Sequence, residues 1–181
     1  MLPQYKFALV KDVNGDKQFL PTQGEPFATG YDVRAAMPDK KSLIISPFAR
    51  LLIPLGFRAL CPDGWWFELK PRSSTFAKKN LHSLIGTIDQ CFEGQVMFAC
   101  QYIPQFKLNQ ISIEGGHRYA VSFDTTMFET LEIKYGDAIG QIIPVKRQEM
   151  EVIEATNEEI ENAFKARAAS RGAGGFGSTS G

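Results

Sequence analysis

The chain has 181 residues, of which 44% are hydrophobic and 22% charged, and its 20 basic and 20 acidic residues give a formal net charge of +0. This is an ordinary globular composition, and the length fits one domain or one domain with appendages. The balanced charge does not suggest a general nucleic-acid-binding surface. Three cysteines without a C-x-x-C pair argue against a disulfide framework or a zinc site, and no apolar run approaches the roughly 20 residues that span a bilayer. We therefore expect a cytoplasmic protein that contacts neither membrane nor nucleic acid.

Most of the chain is predicted to form β-strands. Short runs rich in aromatic and branched residues are punctuated by Gly, Pro, Asn or Asp, and no strand–helix alternation suggests a parallel sheet. We therefore predict a compact all-β barrel or sandwich over residues 1–155. In chain order the runs are YKFALV, SLIIS, ARLLIPLGFRAL, WWFELK, GQVMFACQYI, HRYAVSF and AIGQIIPV.

One helix is predicted over residues 156–170, in the segment TNEEIENAFKARAAS. Thr156 and Glu159 have the spacing of a T-x-x-E capping box, which satisfies free amide groups at a helix start. Ile160 and Phe164 then belong to a narrow apolar stripe at helical spacing. We expect a surface helix that packs on the barrel through this stripe.

The last segment, RGAGGFGSTSG over residues 171–181, cannot bury a core, and its glycines resist ordering. GSTSG is also typical of an engineered linker, but a linker has no use for Arg171 or Phe176. We predict a mobile arm that orders on a ligand. Arg171 would neutralise charge, Phe176 would stack on a base, and the glycine amides with Ser178 and Thr179 would wrap phosphates.

Two segments place polar groups where an anion could bind. In GYDVRAA, Asp32 lies in an otherwise apolar strand pattern and needs a partner, usually an arginine or backbone amides. In PRSST, Arg72 precedes three hydroxyl residues, and an arginine can hold a phosphate through two parallel hydrogen bonds. A turn carboxylate and a hydrophilic surface turn are the alternative interpretations.

Two further segments place polar groups beside apolar strands. In GTIDQCFEGQV, Asp89 could orient and deprotonate a water, and Phe92 could offer a flat face to a sugar or base. A hairpin in which Asp and Gly only shape the turn is equally compatible with this pattern. In YGDAIGQIIPV, Gln141 must find partners if it is buried, either backbone groups or a ligand.

The segments GYDVRAA, PRSST, GTIDQCFEGQV, GDAIGQIIPV and RGAGGFGSTSG resemble, in this order, the five motifs of the homotrimeric dUTPase family. The resemblance implies a distorted antiparallel β-barrel, also described as jelly-roll-like. It implies a homotrimer whose three active sites each draw motifs from all three subunits. It also implies hydrolysis of dUTP to dUMP and pyrophosphate, which keeps uracil out of DNA and supplies dUMP for thymidylate synthesis.

The resemblance also implies roles for single residues. Asp89 would orient and activate the water that attacks the α-phosphorus, and Asp32 would support the site by positioning nearby groups. The ring of Phe92 would lie against the deoxyribose and leave no room for a 2′-hydroxyl. Uracil would be read through main-chain groups. The phosphates would be held by Arg72, Ser73, Ser74 and Gln141, and the nucleoside by Gly86, Thr87, Ile88, Asp89, Phe92 and Met97.

The resemblance assigns the arm to a neighbouring subunit's site. Arg171 would reach the γ-phosphate and Phe176 would cover the uracil, while Gly177, Ser178 and Thr179 would close around the triphosphate. Mg²⁺ would be held through phosphates and water, so no direct protein ligand is expected.

Several positions depart from the family pattern. Phe92 replaces a tyrosine, which keeps the steric gate and loses the hydroxyl. Ser74 replaces a glycine, Ala138 an arginine, and Leu84 a residue of a usually glycine-containing hairpin beside the uracil pocket. A stretch of about residues 102–131 is expanded, and either subunit packing or a partner surface would explain it.

Two alternatives to a dUTPase follow from these departures. A dCTP deaminase-like enzyme, or a pyrophosphatase accepting both dCTP and dUTP, is one, because those relatives share RSS and the phenylalanine. Their strand after the third motif carries a glutamate, where this chain has Ala99, so deamination would lack its proton carrier. The other alternative is a nucleotide-sensing module that regulates another protein through the expanded segment.

Overall fold

A computed structural model describes residues 2–104, 109–113, 116–120 and 129–167 of the chain. The predicted arm over residues 171–181 lies outside the described residues, and so do residues 105–108, 114–115 and 121–128 of the expanded segment. The strands are β1 Lys6–Leu9, β2 Tyr31–Arg34, β3 Leu43–Ile45, β4 Arg50–Pro54, β5 Phe57–Leu60, β6 Trp65–Pro71, β7 Leu81–Ser83, β8 Gly86–Ile88, β9 Met97–Tyr102, β10 Asn109–Ile113, β11 Gly116–Ala120, β12 Leu131–Ile133 and β13 Ala138–Lys146; the helices are α1 Ser73–Lys79 and α2 Asn157–Lys165.

The described strands pair antiparallel into five small sheets. The largest has the order β2-β13-β6-β8, and a second has the order β4-β9-β7. The remaining sheets are the pairs β1-β5, β3-β12 and β10-β11. The predicted all-β class is confirmed, although the strands that the structure describes do not close into one hydrogen-bonded barrel.

Alternating burial along the strands builds one main core. On β9, Phe98 and every second residue after it point inward. Phe57 and Phe67 from β5 and β6 join Phe98 and Ile139 in the same fully buried cluster. Each such phenylalanine contributes about 1.5–3 kcal/mol through burial. This core fixes the two larger sheets against each other and thereby holds the strand ends that carry the candidate site.

The ladder of β13, β6 and β8 has two distinct ends. On one side of β6, Gly140 of β13 pairs with Pro71, and six residues along, Lys146 pairs with Trp65. On the other side, β8 covers only the middle of β6, from Leu69 to Phe67. We call these the Pro71 end and the Trp65 end of the ladder.

The run ARLLIPLGFRAL, predicted as continuous, is divided into β4 and β5. Gly56 adopts a φ of +80° between them, a conformation that favours glycine. A Cβ at this position would approach that of Ala36 at 2.9 Å, so the turn also packs closely on its surroundings. The sequence also did not predict α1, whose last residue is followed by Asn80 in the left-handed conformation.

Residues 148–167 belong to a second compact unit, which begins at Gln148. The predicted capping box is present at the start of α2. The Thr156 hydroxyl accepts from the Glu159 amide at 3.2 Å, and the Glu159 carboxylate accepts from the Thr156 amide at 2.7 Å. The Thr156 backbone hydrogen bond lowers the pKa of Glu159. The helix ends at Lys165, earlier than predicted, and none of its residues is buried, so packing of its apolar stripe stays a prediction. In the described part of the chain no helix has the length and apolar character needed to cross a membrane.

Candidate active site

The first two motifs meet in an ion pair. Asp32 lies on β2, and Arg72 follows the last residue of β6 as the N-cap of α1. Their Oδ1 and Nε atoms are 3.1 Å apart, with side chains 16% and 39% exposed respectively. Two backbone hydrogen bonds with Thr22, of 2.7 and 3.2 Å, fix Asp32 in place. The predicted partner for the Asp32 carboxylate is therefore an arginine of the second motif.

Gln141 joins this pair from the neighbouring strand. It lies on β13 directly opposite Asp32 on β2 and Lys70 on β6. Its Nε2 is 3.5 Å from the Pro71 carbonyl oxygen, which is the long limit of a hydrogen bond. Gly30 leaves the space for this side chain, because a Cβ at Gly30 would collide with Gln141 Oε1. The glycine of GYDVRAA thus leaves room for Gln141 in its present position, and its backbone conformation does not call for glycine.

Helix α1 is anchored through its own residues to β13. Thr75, fully buried, donates a hydrogen bond of 2.7 Å from its hydroxyl to the Ile139 carbonyl. Lys79, at the other end, pairs at 3.0 Å with Asp137, the residue directly before β13. The third hydroxyl of PRSST therefore faces inward as an anchor, whereas Ser73 and Ser74 occupy the first turn of α1 directly after Arg72. The motif therefore begins a helix rather than a turn, while the Arg72 side chain stays 39% exposed, as the alternative of a surface arginine also predicts.

The third motif forms an exposed turn after β8. Asp89 is exposed, and its carbonyl accepts a hydrogen bond of 3.1 Å from the Phe92 amide. The ring of Phe92 folds over Gly94, where an added Cβ would lie 2.7 Å from Cζ. Phe92 remains 42% exposed. Gly94 thus leaves room for the Phe92 ring, and the carboxylate and the ring are both exposed in this chain.

Asp89 and Arg72 lie near opposite ends of the ladder. Phe67 pairs with Ile88, so the register places Asp89 one step further on, beside Trp66. Arg72 continues β6 beyond Pro71 in an extended conformation. Six steps of extended chain from Trp66 to Arg72 correspond to about 20 Å. Within one chain, the structure brings Asp32, Arg72 and Gln141 together and leaves Asp89 apart.

The predicted nucleoside residues lie on β8, in the turn after it and at the start of β9. β8 is an edge strand among the described strands of its sheet, so one side of its main chain has no strand partner there. Met97 begins β9 opposite Pro54. Leu84, before β8, donates its amide to the Ala99 carbonyl at 3.0 Å and keeps its side chain 68% exposed. The nucleoside residues on β8 are Gly86, Thr87 and Ile88.

The site residues predicted on the arm lie outside the described residues. They are Arg171, Phe176, Gly177, Ser178 and Thr179. Among the residues that are described, no three His, Cys, Asp or Glu side chains come together in a way that would hold a metal ion.

No protein-family model matches the chain. It is 30% identical over 163 residues to the deoxyuridine 5′-triphosphate nucleotidohydrolase of Caulobacter vibrioides strain NA1000 / CB15N, covering 88% of this chain and 84% of that protein. It is 32% identical over 170 residues to the protein of the same name from Wolbachia pipientis wMel, covering 92% of this chain and 90% of the relative.

Solved structures share the fold. A variant of the Staphylococcus phage 80alpha dUTPase superposes with a TM-score of 0.69 at 19% identity, covering 99% of this chain and 100% of that one. The dUTPase of S. aureus phage phi11, at 18% identity with a TM-score of 0.61, covers 84% of this chain and 96% of its own, and its structure describes the coordination of a structural Mg(II) ion. An 80alpha variant at 16% identity, a TM-score of 0.63 and the same coverage was solved with dUpNHpp.

Proposed function

Because this chain belongs to the deoxyuridine 5′-triphosphate nucleotidohydrolase family, we propose that it hydrolyses dUTP at the α-phosphorus to dUMP and pyrophosphate. Relatives of that name match almost all of the chain and of themselves. The reaction has two consequences in a cell. Removal of dUTP keeps uracil out of DNA, and the product dUMP is the precursor of thymidylate.

The observation that carries the proposal is the ion pair of Arg72 and Asp32 beside Gln141. Asp32 contacts only Nε of the Arg72 guanidinium. The two terminal nitrogens of the guanidinium carry four further N–H donors suited to phosphate oxygens. The partly exposed Arg72 can present these donors to a ligand while Asp32 fixes their direction. Gln141 adds an amide group, and Ser73 and Ser74 add hydroxyls from α1. This cluster fits the predicted triphosphate site.

The position of Asp89 supports a site that is shared between copies of the chain. Asp89 must approach the α-phosphorus while Arg72 holds a phosphate of the same nucleotide. Three linked phosphoryl groups are far shorter than the separation of about 20 Å that strand geometry gives for these residues in one chain. Asp89 of one subunit would therefore act with Arg72 and Gln141 of another, in the homotrimer that the family resemblance implies.

The chemistry follows from these placements. The oxygen of a water forms a bond to the α-phosphorus, the bond from that phosphorus to the oxygen shared with the β-phosphate breaks, and the proton of the water passes to Asp89. Arg72 offsets the charge that develops on the departing pyrophosphate. Phe92, whose ring is partly exposed beside Asp89, supplies a surface for the deoxyribose. Positioning of water and phosphorus in line is the main contribution of such a site.

Magnesium fits this arrangement as an ion carried by the substrate. The described residues offer no trio of metal-binding side chains, and the Asp32 carboxylate is already paired with Arg72. Mg²⁺ typically keeps several waters and binds through substrate phosphates. When bound, it neutralises charge on the triphosphate. The side chains of this protein then hold the remaining phosphate oxygens and the nucleoside.

A pyrophosphate-release assay with dUTP, dCTP, dTTP and UTP tests the proposal. We expect dUTP to be hydrolysed at the highest kcat/KM, because the predicted uracil contacts and the Phe92 gate select uracil and deoxyribose. Ammonia release from dCTP is not expected, since Ala99 on β9 has only a methyl group. Absence of pyrophosphate release from dUTP would refute the proposed reaction.

A further inference from the structure

The side chain of Gln90, the neighbour of Asp89, links the candidate catalytic turn to another turn of the molecule. Its Oε1 accepts a hydrogen bond of 3.0 Å from the Gly64 amide. Its Nε2 donates a hydrogen bond of 2.9 Å to Asp63 Oδ1. Both partners lie in the turn that joins β5 to β6. Because one planar amide makes both contacts, its position and its orientation are fixed together.

A second contact holds the other end of the same turn. Arg58, on β5, donates from Nε to the Glu93 carbonyl at 2.6 Å. Between these anchors, the Phe92 amide donates to the Asp89 carbonyl. Residues 89–93 are therefore tied at one end to the turn between β5 and β6 and at the other end to β5, although most of their side chains are exposed.

The turn between β5 and β6 is itself well defined. Gly64 has a φ of +74°, and the space around it is open, so glycine is needed there for the backbone conformation alone. Its carbonyl accepts a hydrogen bond of 2.8 Å from the Arg147 amide, at the end of the long strand β13. Gln90 thus connects the Asp89 turn to a turn that the central ladder holds in place.

We propose that Gln90 is a positioning residue for Asp89, acting through Asp63 and Gly64. The proposal rests on the proposed role of Asp89 in the reaction. A catalytic carboxylate has to be held within about 0.5 Å of its productive position. Asp89 is exposed and has no ion pair within the described ranges, so neither packing nor a charge partner holds it. The backbone of the next residue, fixed by the Gln90 amide, holds it instead.

Kinetics of Gln90 and Asp63 variants test the proposal. In Gln90→Ala we expect kcat for dUTP to fall about tenfold with KM within about twofold, because displacing a reacting group costs turnover more than affinity. Asp63→Ala should show a smaller loss of the same kind, since Gly64 still binds Gln90. The effects should not add in the double variant, because the two residues form one contact.

A swapped pair separates positioning from a general loss of structure. Gln90→Glu alone brings two carboxylates together and should lower kcat. Combined with Asp63→Asn, the donor and the acceptor exchange places, and we expect most of the lost kcat to return. Gln18→Ala is the matched control, since Gln18 makes the same kind of contact with Asp16, at 2.7 Å. It should retain wild-type kcat.

Amide hydrogen exchange at Phe92 supplies a readout that does not depend on activity. If Gln90 holds the turn, exchange at this amide should rise about tenfold in Gln90→Ala and return in the swapped pair. A normal kcat in Gln90→Ala, or unchanged exchange at Phe92, would overturn the proposal while dUTP hydrolysis by the wild type stands. A wild type that fails to hydrolyse dUTP would instead refute the proposed function, and with it the catalytic part of this proposal.

Discussion

Arg72 and Asp89 flank the same strand and lie near its opposite ends, Arg72 beyond Pro71 and Asp89 beside Trp66. The antiparallel register of β6 and β8 imposes this separation, since continuing toward Asp89 along β8 leads away from Arg72. One chain therefore holds the proposed phosphate cluster and the proposed catalytic carboxylate far apart. The shared site that we propose would bring Asp89 of one copy to Arg72 of another.

The role of Asp89 predicts a specific kinetic defect. Asp89→Asn keeps the size of the side chain and removes the proton acceptor, so we expect the affinity for a non-hydrolysable dUTP analogue to stay within a few-fold. Turnover should fall by about 10²–10⁴, the usual contribution of a general base. Calorimetric titration with the analogue and pyrophosphate release from dUTP measure the two quantities. Unchanged turnover would remove Asp89 from the reaction.

The close approach of Gly30 to Gln141 predicts a steric effect on the phosphate cluster. In Gly30→Ala the new methyl group would collide with the Gln141 amide and displace it, so we expect KM for dUTP to rise about tenfold, in line with the loss of one or two phosphate contacts. Gly24→Ala is the control, because its Cβ would lie at an ordinary 3.4 Å from Asp32 Oδ2. Equal kinetic effects of the two substitutions would contradict the packing argument.

The three thiols should differ in reactivity. Burial raises the pKa of Cys61 to about 11 and that of Cys100 to about 12, whereas Cys91 is exposed beside Gln90. Because the thiolate is the reactive form, and only about one in a thousand Cys61 side chains is a thiolate at pH 8, Cys61 should react slowly and Cys100 more slowly still. We expect iodoacetamide to label Cys91 first, and labelling of the other two to rise with pH toward 11.

Mass spectrometry of labelled peptides, before and after unfolding in urea, measures this order. Urea should equalise the three rates, since it removes the burial that raises the two pKa values. Rapid labelling of Cys61 or Cys100 in the folded protein at pH 8 would show that these thiols are not in the core.

Local sequence patterns predicted the features that depend on neighbouring residues. The strand class and the capping box of Thr156 and Glu159 follow from residue spacing. The cost of burying an unpaired carboxylate predicted a partner for Asp32, either an arginine or backbone amides, and Arg72 is that partner. Gly56 divides a predicted strand because of a positive φ, which composition alone does not reveal.

Local sequence patterns did not predict the features that depend on how the strands pair. The hydrogen bond from Thr75 to Ile139 joins residues 64 positions apart in the chain. The one between Gly64 and Gln90 joins residues 26 positions apart. A polar residue beside a catalytic carboxylate is a weak signal of such a contact, since many exposed turns carry one. The separation of Arg72 from Asp89 depends on which residues of β6 and β8 pair, and no periodicity in either segment specifies that.

Mixing two inactive variants tests the shared site most directly. Asp89→Asn and Arg72→Ala homo-oligomers should each hydrolyse dUTP poorly. When they are unfolded together and refolded at equal amounts, random mixing leaves about a quarter of the sites with an intact Asp89 from one copy and an intact Arg72 from another. We therefore predict recovery of about a quarter of wild-type turnover. No recovery, in mixed oligomers confirmed by mass spectrometry, would contradict a site built between copies.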